Sequence, residues 1–243
     1  MPKPVEQRIA PNAVAQQIAQ RYPGADAVFL AGSIVRGEGT ATSDLDIVVV
    51  TPHEKKAPYR ESLVLEHWPV ELFVHTPQSL ERFFQQDIAT RSPSLPQMCV
   101  EGQLISSAQK AGQSIKVRAQ ALIDQGPPAL SQRDILQYRY ALTDLLTDLE
   151  GSVSATETPF IMHRLLNVAI DAYLAYHKAW SGRGKWLWRA LLRNQPVAAA
   201  QLAEALASNN PTERVKVWTE ETVLAALGGP LFEGYYLSAA DAD

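Results

Sequence analysis

Apolar residues at Ala13, Val14, Ile18 and Ala19 recur at helical spacing until Pro23-Gly24 interrupts them, so a first helix is expected over about Pro11 to Tyr22. The pattern then changes to short continuous apolar runs. Ala27 to Ala31 is one, ending in Gly32-Ser33; Leu45 to Val50 is a second, with four consecutive β-branched residues from Ile47; Val70 to His75 is a third, bounded by Pro77. Their length and β-branched content predict strands. Gln78 to Asp87 is expected to be helical, Ser92 to Pro96 to be a loop holding two prolines, Glu101 to Ser106 to be a further strand and Ala108 to Asp124 a helix.

Gln125-Gly126-Pro127-Pro128 is the strongest punctuation in the chain, and strand patterns disappear beyond it. A boundary is therefore expected there, with domains over 1–126 and 127–243. In the second half, Ser131 and Asp134 have the spacing of a capping box opening a helix to about Glu150, and Thr158-Pro159 supplies an N-cap and a first-turn proline for one reaching about Trp180. Shorter helices fit Trp186 to Arg193, Val197 to Ala207 and Thr212 to Leu227, the last ended by Gly228-Gly229-Pro230. The expected class is α+β: strands and helices first, then an all-α bundle.

Of the 243 residues 46% are hydrophobic and 20% charged, enough to build packed cores and to argue against disorder. The formal net charge of −4 gives no global basic field, which disfavours a protein that grips extended nucleic acid. The single cysteine, Cys99, has no internal partner and reads as a buried small apolar residue. The first residues lack the apolar core of a signal peptide and no run is long enough to cross a bilayer, so a cytoplasmic protein without membrane contact is expected.

Chemistry concentrates in Ala31-Gly32-Ser33, ten intervening residues, and Asp44-Leu45-Asp46-Ile47. Glycine at a strand-to-helix turn lets the backbone approach a ligand closely, and the following amides with the Ser33 hydroxyl can donate to phosphate oxygens. Asp44 and Asp46 are two apart on an expected strand and so share a face, with Leu45 pointing the other way. Adjacent carboxylates repel unless a cation sits between them, and such hard oxygen ligands suit Mg²⁺. Glu71, flanked by Val70 and Leu72, has the alternation of one polar residue directed at the same place, where it can complete a site for two metal ions.

Gly-Ser, a spacer of this length and Asp-x-Asp between apolar residues together resemble the signature of the polymerase-β-like nucleotidyltransferase superfamily. The stretch Ala31 to Asp46 is similar to its bacterial branch especially, where Arg-Gly (here Arg36-Gly37) and Ser-Asp-h-Asp with h apolar (here Ser43-Asp44-Leu45-Asp46) recur. The resemblance implies a small mixed sheet flanked by helices, a helical domain like that of aminoglycoside and lincosamide nucleotidyltransferases, and two Mg²⁺ ions held by Asp44, Asp46 and Glu71. It implies a nucleoside triphosphate, ATP by expectation, bound through Gly32, Ser33, Arg36, Ser43 and Lys185, and transfer of a nucleoside monophosphate to an acceptor hydroxyl with release of pyrophosphate. Lys185 enters through Arg183-Gly184-Lys185-Trp186-Leu187, which resembles the Lys-Trp segment of related bacterial enzymes, where the lysine faces the triphosphate.

Blander roles stand beside these. Arg36 is equally suited to a phosphate and to a neighbouring carboxylate, and Lys185 to a phosphate and to solvent. Trp186 and Trp188 read as packing residues, His163 and His177 as core or surface histidines, and Asp144 and Asp148 as a solvated helix face. The acceptor stays open between an aminoglycoside-type small molecule and a protein or tRNA, and oligomeric state is not legible. The alternative is a toxin–antitoxin or regulatory module of the same fold that acts on protein or tRNA, or that binds nucleotide without turnover.

Overall fold

In a computed structural model, which describes residues 8–108 and 110–238, the chain divides into two units, one up to Gln125 and one from Gly126. The first contains α1 (Pro11–Gln20), β1 (Ala27–Ala31), α2 (Gly32–Val35), β2 (Leu45–Val50), β3 (Tyr59–Leu65), β4 (Trp68–His75), α3 (Pro77–Ala89), α4 (Ser94–Glu101), β5 (Gln103–Ser107) and α5 (Ala111–Gln125). The sheet runs β3-β4-β2-β1-β5 and is mixed: β2 and β4 are parallel, the other neighbours antiparallel.

Alternation along the strands sorts side chains onto two apolar layers. Leu45, Ile47 and Val49 of β2 pack with Val70, Leu72 and Val74 of β4 and with Val14, Ala15 and Ile18 of α1. On the other face Val48 and Val50 join Phe29 of β1, Leu80 and Phe84 of α3, Leu95 and Cys99 of α4 and Ala119 and Leu122 of α5. Asp46 and Glu71 belong by alternation to this second face, beyond its apolar layer.

The first unit departs from what the sequence pattern shows at three places. β3 has no apolar alternation to reveal it: most of it is exposed, as befits an edge strand. It joins β4 through Glu66-His67, both at positive φ (50° and 65°), the backbone of a two-residue hairpin turn but without the usual Asn-Gly or Asp-Gly. Next, the expected loop at Ser92 to Pro96 is largely helix, because Pro93 is the N-cap of α4 and Pro96 falls in its first turn, where no amide is needed; Asp87 accepts from the Leu95 amide at 2.7 Å. Finally, Glu101 closes α4 rather than opening β5.

The second unit is helical: α6 (Gln132–Gly151), α7 (Thr158–Tyr176), α8 (Lys185–Asn194), α9 (Pro196–Ala207), α10 (Pro211–Trp218), a π-helical stretch (Thr219–Leu224) and α11 (Ala225–Leu227). The Ser131–Asp134 capping box is present, its two arms at 3.1 and 2.9 Å. α7 ends at Tyr176, short of Trp180, because Lys178 turns to φ 52° and the Ala179 amide returns to the Leu174 carbonyl. Its N-cap is Glu157, and Thr158 instead donates its hydroxyl to the Ser154 carbonyl. Leu142, Leu165, Leu174, Leu191 and Val215 are fully buried in one core. No helix among the described residues is long and apolar enough to cross a membrane.

Candidate metal and nucleotide site

β1 ends where β2 begins, and the antiparallel register sets Ala31 opposite Asp46. The parallel register of β2 with β4 sets Asp46 opposite Glu71. Asp44 lies immediately before β2. Oxygens of Asp44, Asp46 and Glu71 all fall within 4.8 Å of one another, and all three residues are half-buried. Val70 and Leu72 on either side of Glu71 are buried, so only the carboxylate of this segment turns to the cluster.

Gly32 follows Ala31 as the first residue of α2, at φ 81°. A Cβ there would stand 2.0 Å from Asp46 Oδ2 and 2.9 Å from its Cγ. The glycine is therefore demanded twice, by the left-handed backbone and by the carboxylate lying against it. Ser33 Oγ donates to Ser43 Oγ at 3.3 Å, and Ser43 Oγ also accepts from the Thr40 amide at 2.8 Å. Arg8 donates to the Ala41 carbonyl at 2.9 Å, so the loop leading back to Asp44 is tied at several points.

The charges are unbalanced. Burial first, then the negative charge of Asp44 and Glu71, pushes the Asp46 carboxyl up to about 6, and Arg36 and Arg60 pull it back only in part. Arg36 is engaged elsewhere: it donates to Glu101 at 3.0 Å and to Glu38 at 3.3 Å. Arg60 pairs with Glu71 directly. Three converging carboxylates, one of them pushed up to about 6 by burial and by the charge of the other two, fit a divalent cation with oxygen ligands. Buried Cys99, its thiol pushed up to about 12, is remote in kind from such chemistry.

The structure thus gathers Gly32, Ser33, Ser43, Asp44, Asp46 and Glu71 at one end of the sheet and ties Arg36 to two carboxylates. Lys185 belongs to the second unit, where it is exposed as the first residue of α8, with Nζ 5.7 Å from the Trp186 ring centroid. Trp188 packs against the helical core, whereas Trp186 is 37% exposed, with the Arg189 guanidinium 4.6 Å from its ring centroid. His163 is exposed, His177 caps α7 against Tyr173 and Tyr176, and Asp144 and Asp148 are exposed on α6. Arg60 and Glu101, the partners of Glu71 and Arg36, carry no signal in linear spacing; only the β3–β4 hairpin and the α2–α4 approach bring them in.

The family model for the nucleotidyltransferase domain matches residues 12–93, the span that contains the Gly32-Ser33 bend and all three carboxylates. Residues 12–93 are a nucleotidyltransferase domain. Similar solved structures include a nucleotidyltransferase-like protein from Exiguobacterium sibiricum 255-15, 14% identical, with a TM-score of 0.38 over 90% of this chain and 75% of that one. A toxin-antitoxin solved with AMP-PNP is 16% identical, with a TM-score of 0.33 over 48% of this chain and 89% of the other. Among curated proteins, none matches the chain. The nucleotidyltransferase domain lies wholly within the first unit and leaves the helical unit outside the matched span.

Proposed function

We propose that the protein transfers a nucleoside monophosphate, AMP from ATP, to an acceptor hydroxyl and releases pyrophosphate, with Asp44, Asp46 and Glu71 holding two Mg²⁺ ions. The observation that carries this reading is the convergence of three carboxylate oxygens within 4.8 Å beside a glycine that admits no side chain. Bound there, divalent cations supply charge neutralisation on the phosphates and lower the pKa of an attacking hydroxyl. Asp46, central in the register between Ala31 and Glu71, fixes the cluster's position on the rigid sheet. The Ser33 amide and hydroxyl, with Ser43, offer donors to the terminal phosphates, and Arg36, held by Glu38 and Glu101, sets a cation beside them. Glu71 either completes the metal site or takes the acceptor's proton. Lys185 is assigned to the triphosphate on its place in the Lys-Trp segment at the start of α8.

In this reading residues 1–126 are the transferase domain and 127–243 the helical domain. The net charge of −4 suits a cationic hydroxylated small molecule, of the aminoglycoside kind, better than a long polyanion. The free, buried cysteine is in keeping with a cytoplasmic protein.

The test is Asp46→Asn in an assay that follows α-phosphate label from each NTP into candidate acceptors. Loss of about 100-fold or more in turnover is expected, because ligands of one cluster act as a unit. Turnover near the wild-type rate removes the metal-site reading. Mg²⁺-dependent ATP binding without any product supports a nucleotide-binding module instead.

A further inference from the structure

Resting on the metal-site reading just given, we infer that Arg60 is a resident counter-cation of the carboxylate cluster, which competes with a divalent cation for Glu71 and thereby sets how readily the site loads. Arg60 lies on edge strand β3 with its Cα in register with Phe73, while Glu71 lies two residues earlier on β4, on the same face. Its guanidinium stacks over the Phe73 ring, 4.9 Å from the centroid, and one nitrogen donates to Glu71 Oε2. The ring therefore pre-places the arginine head over the carboxylate.

The two arginines that act on Asp46 are built differently. Arg36 has a side chain only 19% exposed and is bound by Glu38 and Glu101, neither of which belongs to the cluster. Arg60 is 58% exposed and bound to a member of the cluster itself. An arginine so exposed is rehydrated cheaply when its partner is taken, so the pair is a weak, reversible one. A divalent cation approaching Glu71 meets a positive charge already seated on one of its oxygens, and either displaces that arginine or binds against its repulsion. Both routes weaken metal binding relative to a chain without the charge. The reverse role, in which Arg60 orients Glu71 as a ligand, makes the opposite prediction.

The discriminating experiment titrates the full chain with Mn²⁺ and follows free ion by electron paramagnetic resonance, for wild type, Arg60→Gln, Arg60→Lys and Asp46→Asn. The expected result is binding about 3- to 10-fold tighter in Arg60→Gln than in wild type, near wild type in Arg60→Lys, and lost in Asp46→Asn, with the difference shrinking at high salt. Melting in EDTA provides the second readout: Arg60→Gln melts below wild type there, and added Mn²⁺ raises its Tm by more than it raises that of wild type. Binding by Arg60→Gln that equals or falls below wild type, with wild type binding Mn²⁺, overturns this inference and leaves the metal site standing. Folded wild type and Arg60→Gln that both fail to bind Mn²⁺ overturn the metal site, and this inference with it.

Discussion

Gly32→Ala is the sharpest perturbation the site offers, because Gly37→Ala, five residues on, provides an internal control. Both glycines hold positive φ, 81° and 73°, so alanine at either costs about 1 to 2 kcal/mol of backbone strain. They differ in what the new methyl group meets. At Gly37 nothing lies within 4 Å, whereas at Gly32 the methyl stands 2.0 Å from Asp46 Oδ2. Relief to the shortest tolerable contact, 3.0 Å, requires the Asp46 oxygen or the Gly32 backbone to retreat by about 1 Å.

A misplacement of that size in a reacting constellation costs about 100-fold in rate, while the fold pays little beyond the strain shared with Gly37. The expected outcome is two variants with similar depressions of Tm, of which only Gly32→Ala loses Mn²⁺ affinity and about 100-fold in pyrophosphate release. Thermal melts, Mn²⁺ titration and the α-phosphate transfer assay give the three readouts. If Gly32→Ala keeps turnover and metal affinity within about threefold of Gly37→Ala, the packing of Asp46 against that glycine does not set the site's geometry, and the reasoning fails.

Other outcomes follow from the same geometry. Asp46 holds its proton up to about 6 in the folded chain against an ordinary 3.8, so in EDTA the folded state binds the extra proton between those values and stability falls as pH rises through them. Asp46→Asn removes that loss, at most about 3 kcal/mol, and should melt above wild type at pH 8 in EDTA but not at pH 4. His75 has the opposite sign: burial, then Arg82, lowers it from 6.5 to about 4, so the stability it contributes is present above pH 6.5 and is lost as pH falls through about 4; His75→Leu should flatten that limb of the pH–Tm curve. Leu165→Ala, at a fully buried position of the helical core, should cost about 2 to 5 kcal/mol in urea unfolding. Ser131→Ala, which removes one arm of the capping box, should cost about 1 kcal/mol.

What could be read before the fold was known depended on how locally each feature is encoded. The Gly32-Ser33 bend and the Asp44–Asp46 pair lie within fifteen residues and need only alternation to share a face. Glu71 could be assigned a facing direction from Val70 and Leu72, but its place opposite Asp46 is a matter of strand register, which linear spacing does not contain. β3 escaped because an exposed edge strand has no reason to alternate, and because Glu66-His67 adopts by force of context a turn that usually declares itself as Asn-Gly. With β3 unseen, Arg60 could not be linked to Glu71. α4 was hidden by Pro93 and Pro96, which break helices in general but are harmless at a cap and in a first turn.

The buried carboxylate of Asp46 is costly where it stands, and that cost bears on function. β2 is otherwise a run of buried apolar residues; into it is set a carboxylate whose burial and acidic neighbours hold its proton at a pH where aspartate is ordinarily ionised. Beside it stands a glycine at φ 81°, a backbone that glycine takes without strain and that any side chain would obstruct against the carboxylate. An asparagine would relieve the charge and keep the shape, so stability alone gives no reason for the aspartate. Of the cations acting on it, Arg36 is committed to Glu38 and Glu101, where it braces α2 against α4, and Arg60 answers only part of the remaining negative charge. The balancing positive charge is thus left to something exchangeable, the part that the proposed function gives to divalent cations.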